Sequence, residues 1–167
     1  TFNFDTGSDL FWFPLTNCTG CTSTPKTYSI ATGGATISNP VVRDGIEYLD
    51  GTHANGTVMS IQIEIGGQTI PLIRVLVSMT FNPTELGNDG LIGLTPSVLG
   101  DHTELLIDKL YDNSLIPNKM FSINFQNMNG DTYIYFGGYE ADKLDSDIVW
   151  VPLGDNDFGV SNSLMCR

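Results

Sequence analysis

Basic residues are scarce in this sequence. Seven Lys and Arg stand against nineteen Asp and Glu among 167 residues, a formal net charge of -12. A surface of that sign repels nucleic-acid phosphates and anionic lipid headgroups, so neither is expected as a partner. Long apolar runs are also absent. Nowhere do about 18 apolar residues follow one another, so no membrane-spanning helix is expected. Metal-ligating side chains are few: two histidines, His53 and His102, and three cysteines, Cys18, Cys21 and Cys166. No second pair matches Cys18 and Cys21 as a zinc site would require, so neither a metal nor a cofactor is expected. The chain also lacks an initiator Met and a basic stretch leading into an apolar one. Thr1-Phe2-Asn3-Phe4 already reads as the middle of a strand, so a processed or partial chain is expected. What is present is a globular composition. Hydrophobic residues make up 41% and charged residues 16%, enough for one domain with its own core.

Cys18-Thr19-Gly20-Cys21 admits a redox site, half a zinc site or a small loop disulfide. A thioredoxin-type site opens a helix, whereas the following Thr-Ser-Thr-Pro reads as loop. A structural disulfide between Cys18 and Cys21 is therefore the expectation, and with it an oxidising compartment. Asn17-Cys18-Thr19 and Asn55-Gly56-Thr57 are N-glycosylation acceptor motifs that lean the same way, while Asn82-Pro83-Thr84 is excluded by its proline.

Along the chain the pattern is strand, turn, strand. Leu10-Phe11-Trp12-Phe13 is an apolar run that Pro14 is expected to stop. Val58 to Ile65 alternates apolar and polar residues, Gly66-Gly67 makes a turn, and Ile70 to Val77 returns, which predicts a hairpin. Phe121–Phe125 and Tyr133–Phe136 form a second pair around Asn127 to Asp131, and Ile148-Val149-Trp150-Val151 closes the regular part. Only Thr103 to Ser114 breaks the pattern. Leu106, Leu110 and Tyr111 stand there at helical spacing, with Glu104 near the start where an acid suits the helix dipole. The fold class expected is all-β with one short helix. Residues 154–167 read as a linker or tail.

One turn carries chemistry. Asp5-Thr6-Gly7-Ser8 lies between apolar stretches, where a carboxylate is costly unless hydrogen-bonded or functional. Thr6 and Ser8 supply hydroxyls, and Gly7 allows close approach of backbone to carboxylate. An Asp-Thr-Gly turn alone is a common structural turn. Asp-Thr-Gly-Ser-x-x-x-Trp-x-Pro, which runs from Asp5 to Pro14, is far rarer.

With these residues the sequence resembles the pepsin-like aspartic peptidases, and three further segments agree. Tyr48-Leu49-Asp50-Gly51-Thr52-His53-Ala54-Asn55-Gly56 resembles the hairpin, called the flap, that covers the substrate cleft. Asp89-Gly90-Leu91-Ile92-Gly93-Leu94 resembles the element that crosses under the catalytic loop. Phe136-Gly137-Gly138 followed by Trp150-Val151-Pro152 resembles the end of the family's N-terminal lobe. The resemblance runs from Phe2 to about Leu153. It implies that residues 1–153 are an N-terminal lobe without its opening strands, with Asp5 catalytic and Thr6, Gly7 and Ser8 supporting it. Tyr48, Asp50, Gly51, Thr52 and Trp12 would border the cleft, Ser8 would hydrogen-bond Asp5, and Tyr48 would reach toward Trp12. Of the other candidates, Asp89 reads as a turn residue, His53 as a solvated loop residue and His102 as a helix-start residue.

The implied mechanism needs two facing aspartates that share one proton, one as base toward a water and one as acid. No second Asp-Thr/Ser-Gly follows Asp5. The expectation is therefore half of an aspartic endopeptidase that acts on peptide or protein substrates, with a second lobe elsewhere. Cys166 has no evident partner within the chain, and either pairs with sequence beyond it or is free. This lobe alone is expected to be inactive, in a protein of the secretory pathway or an acidic vesicle. The alternatives are a binding or structural protein that keeps the fold without turnover, and a single-lobe peptidase that dimerises.

Overall fold

The computed structural model describes residues 2–21, 36–37, 40–49, 51–82, 89–95, 103–125 and 132–151. Nine strands and one α-helix are formed among them: β1 (Asn3–Asp5), β2 (Phe11–Thr19), β3 (Thr36–Ile37), β4 (Arg43–Glu47), β5 (His53–Ile65), β6 (Gln68–Asn82), β7 (Leu91–Gly93), α1 (Leu106–Asp112), β8 (Phe121–Asn124) and β9 (Tyr133–Phe136). Among the described residues the chain is mostly β with a single short helix, as its alternation and turn residues imply. Seven strands form one sheet in the order β1-β7-β2-β6-β5-β3, with β4 also on β5, and β8 and β9 form a separate pair.

The central hairpin is the most strongly encoded part. Alternation from Val58 sends Met59 and Ile61 into one apolar cluster, where Ile70, Ile73, Val75 and Val77 of β6 join them. Gly66 and Gly67 both have positive φ, 57° and 76°, the geometry of a two-residue turn whose twist matches the flanking strands. The hairpin is longer than the alternation alone marks out, because β5 begins at His53 and β6 continues to Asn82. Phe11 and Phe13 of β2 and Leu106 and Leu110 of α1 close the same cluster.

Three sequence expectations are corrected. Pro14 does not stop its strand. β2 continues to Thr19 beside β6, with Pro14 still paired to Ser78 and a register irregularity between Pro14 and Thr19. The helix starts at Leu106 rather than Thr103. Glu104 lies ahead of it and accepts the Arg74 backbone N–H at 2.8 Å, while Tyr111 faces outward. Ile148 to Val151 forms no strand among the described residues, for no described strand lies beside it to make a ladder. Val149 and Trp150 are 84% and 68% exposed.

The Cys18–Cys21 disulfide is formed, with the Cα atoms 5.5 Å apart. Cys21 is buried against Leu10, Trp12, Ala54, Leu76 and Leu91, a second apolar cluster that abuts the flap residues Ile46 and Tyr48. Among the described residues no helix is long and apolar enough to cross a membrane.

Candidate active site

Asp5 ends β1 and is held from beneath. β1 runs parallel to β7, pairing Asn3, Phe4 and Asp5 with Leu91, Ile92 and Gly93. β7 then turns under the loop that leaves β1. Leu94 N–H donates to the Asp5 carbonyl at 2.7 Å, Gly93 N–H to the Leu10 carbonyl at 3.0 Å and Thr95 N–H to the Ser8 carbonyl at 3.2 Å. Only glycine fits at position 93, since a Cβ there would lie 2.5 Å from the Ser8 carbonyl oxygen. The Asp-Gly-Leu-Ile-Gly-Leu run thus has a physical reason. Its apolar residues are buried, Leu91 and Ile92 within the sheet itself, and its second glycine lets two backbones meet.

The loop directs its own donors at the carboxylate. Gly7 N–H donates to Asp5 Oδ1 at 2.9 Å, and Ser8 Oγ donates to Oδ2 at 2.6 Å. Each carboxylate oxygen therefore has a fixed donor, so the group has a defined orientation instead of a rotating one. Asp5 is half-buried and Ser8 is buried, while Thr6 and Gly7 are exposed.

A hairpin closes over this loop. β4 and β5 pair antiparallel from Arg43↔Thr57 to Glu47↔His53. At the tip, Tyr48 N–H donates to the Thr52 carbonyl at 2.8 Å and Gly51 N–H to the Tyr48 carbonyl at 2.9 Å. Gly51 has φ 82°, a left-handed conformation that costs glycine little. Thr52 is buried and Leu49 is wholly exposed, while Asp50 lies outside the described residues.

Trp12 joins hairpin and loop. Its ring is fully buried, and its Nε1–H donates to the Tyr48 hydroxyl at 2.9 Å. Burial pushes the Tyr48 hydroxyl up from 10.0 to about 12, opposed by the Trp12 hydrogen bond and reinforced by the negative charge of Asp5. The nearby Ser8 hydroxyl also opposes the rise. Tyr48 is thus a neutral phenol over the whole physiological range.

The structure accordingly brings Asp5, Gly7, Ser8, Trp12 and Tyr48 to one place, with Thr52 bracing the hairpin. Cys18 and Cys21 lie to the side, behind Trp12. His53 is on the flap, half-buried, and Asp89 is buried before β7. One contributor escaped the sequence reading. Thr95 was not singled out, yet its backbone holds the loop at Ser8. The only signal was a lone polar residue after an apolar run.

A β-rich lobe with an aspartate on an Asp-Thr-Gly-Ser loop, facing the inner side of a tyrosine-bearing hairpin, defines the class. The chain belongs to the eukaryotic aspartyl protease family, whose sequence model matches residues 1–162. It is 33% identical over 173 residues to rhizopuspepsin-3 of Rhizopus niveus, covering 94% of this chain and 41% of that protein. It is 32% identical to syncephapepsin of Syncephalastrum racemosum, covering 94% and 40%. To rabbit (Oryctolagus cuniculus) pepsin II-1 it is 26% identical, covering 92% and 41%. The chain thus spans about two-fifths of the length of the relatives it matches.

Proposed function

We propose that this chain is the N-terminal lobe of a two-lobed aspartic endopeptidase, in which Asp5 is one of two catalytic aspartates. The other stands on a second lobe. The observation that carries this is the Asp5 carboxylate itself, with one donor fixed on each oxygen and a neutral Tyr48 hydroxyl beside it. Two carboxylates brought together cannot both ionise, so they share a proton. The ionised member takes a proton from a water that attacks the peptide carbonyl, and the protonated member supplies one to the developing oxyanion. Gly7 and Ser8 fix the direction in which Asp5 presents its oxygens. Tyr48, held by Trp12, lowers the flap over a bound peptide and keeps bulk water out. Residues 1–153 make the lobe and residues 154–167 lead out of it. The Cys18–Cys21 bond favours an oxidising, secretory or vesicular compartment and a glycosylated product.

The test is peptide hydrolysis at acid pH by the full-length protein and by this chain alone, each with and without Asp5→Asn. Full-length activity should fall by at least about 100- to 10,000-fold with Asp5→Asn, the range expected for one positioned acid–base group. The lone chain should show none. Full-length activity that survives Asp5→Asn sinks the assignment of Asp5. Cleavage by the partner-free lobe sinks the two-lobe reading.

A further inference from the structure

The flap has two unlike faces, and its outer one carries a feature that the peptidase chemistry does not use. On the inner face Ile46, Tyr48 and Ala54 pack toward Trp12. By alternation Gly45, Glu47, His53 and Asn55 share the other face, with Gly45 opposite Asn55 and Glu47 opposite His53 in the ladder. A shallow hollow of about 460 Å³ lies there, lined by Gly45, Ile46, Glu47, His53 and Asn55.

Asn55 is exposed, and it begins the motif Asn55-Gly56-Thr57. Its backbone carbonyl is engaged, accepting from Ser78 Oγ at 3.4 Å, while among the described residues its side-chain amide makes no hydrogen bond. The carbonyl end of that amide lies over Gly45. A Cβ at position 45 would collide with Asn55 Oδ1, so glycine there leaves the side chain its room. The same chain carries the Cys18–Cys21 disulfide, which requires the oxidising conditions in which such motifs are modified.

We infer that Asn55 is an N-glycosylation site, and that its glycan stands on the outer face of the flap, away from Tyr48 and Asp5. The donor is a lipid diphosphate-linked oligosaccharide. The Asn55 amide nitrogen bonds to the anomeric carbon of the first N-acetylglucosamine as the bond from that carbon to the diphosphate oxygen breaks. The amide proton is lost, and the lipid diphosphate departs. Thr57 is buried in the fold, which is no obstacle, because transfer acts on the unfolded chain. What the folded state must do is tolerate the sugar, and an exposed amide opposite glycine does.

Arg43 and Arg74 bound a tryptic peptide in which Asn55 is the only asparagine, so Asn17 falls on a different peptide. The full-length protein, secreted from a eukaryotic host, is treated with a glycan-releasing amidase in heavy-oxygen water and mapped by mass spectrometry. Conversion of Asn55 to labelled Asp is expected, and a control without the amidase accounts for spontaneous Asn-Gly deamidation. An unmodified Asn55 peptide overturns the site. Asn55→Gln should remove one step of gel mobility, and no change in mobility counts against it equally. For the facial placement, kcat/KM of the native enzyme after amidase treatment should be unchanged, whereas a rise would mean that the glycan blocks the cleft and would overturn the outer-face assignment. Only this last arm rests on the peptidase reading, so an inactive enzyme with a glycosylated Asn55 refutes that reading and leaves the site standing.

Discussion

Two tryptophans sit at opposite extremes of this lobe. Trp12 is fully buried, flanked by β6 and β7, and its one polar atom is satisfied by Tyr48. Trp150 is 68% exposed in an apolar Val149-Trp150-Val151 run, with Tyr139 as its aromatic neighbour at 6.5 Å between ring centroids. Similar apolar, β-prone surroundings in sequence thus lead to opposite outcomes. The difference is the supply of partners. Trp12 lies on a strand with neighbours on both sides, while the segment carrying Trp150 has no strand beside it among the described residues. A strand is a relation between chains of backbone, and local composition supplies only half of it.

Substitution sharpens this contrast. Trp12→Ala should cost the lobe about 3–5 kcal/mol, the range for truncating a large buried aromatic. Chemical denaturation measures it, and a cost close to zero would mean that the ring is not part of the core. Tyr48→Phe is the next largest. It keeps the ring but leaves the buried Trp12 N–H without its acceptor, a loss of about 1–3 kcal/mol.

The same residue has a pH signature. The Tyr48 hydroxyl is raised from 10.0 to about 12, so between those values the folded state holds a proton that the unfolded state has released. Its contribution to stability is complete below pH 10 and is lost as pH rises through about 12. Phenolate absorbance should show a component that ionises near pH 12, and Tyr48→Phe should remove it. The smallest effect belongs to the other tryptophan. Trp150→Ser in this chain alone should change stability by no more than about 0.5 kcal/mol, as for ordinary surface positions. In the full-length protein the same change should cost more if a second lobe covers this segment. Equal effects in both contexts would mean that Trp150 is solvent-facing throughout.

Much of the architecture was legible because its signals are local. The alternation from Val58 to Ile65 and the Gly66-Gly67 pair specify a hairpin without any distant residue. Leu106 and Leu110 likewise mark a helix by spacing alone. What local sequence could not supply were boundaries and partners. Pro14 is a strand breaker by composition, yet β6 beside it keeps the strand in line. Glu104 looked like an N-terminal helix acid, but its carboxylate is drawn to the Arg74 backbone N–H across the fold. At the site, the Asp-Thr-Gly-Ser run was readable because Gly7 and Ser8 act on Asp5 from two and three residues away. The Trp12–Tyr48 contact spans 36 residues and entered only through family resemblance. Thr95 acts through its backbone, which no side-chain pattern reports.

The parallel pairing of β1 with β7 has a consequence for the order of events in folding. Asn3 lies beside Leu91, a separation of 88 residues (91 minus 3), and Trp12 beside Leu76, a separation of 64. Closing such long loops carries an entropic cost that must be met before the contacts repay it. The β5–β6 hairpin, closed by a two-residue turn, has no such delay. The loop that carries Asp5 is therefore expected to gain its β7 backbone contacts later than the central hairpin forms. A chain still emerging from the ribosome, or one truncated before Leu91, has the Asp-Thr-Gly-Ser sequence without the platform that orients it.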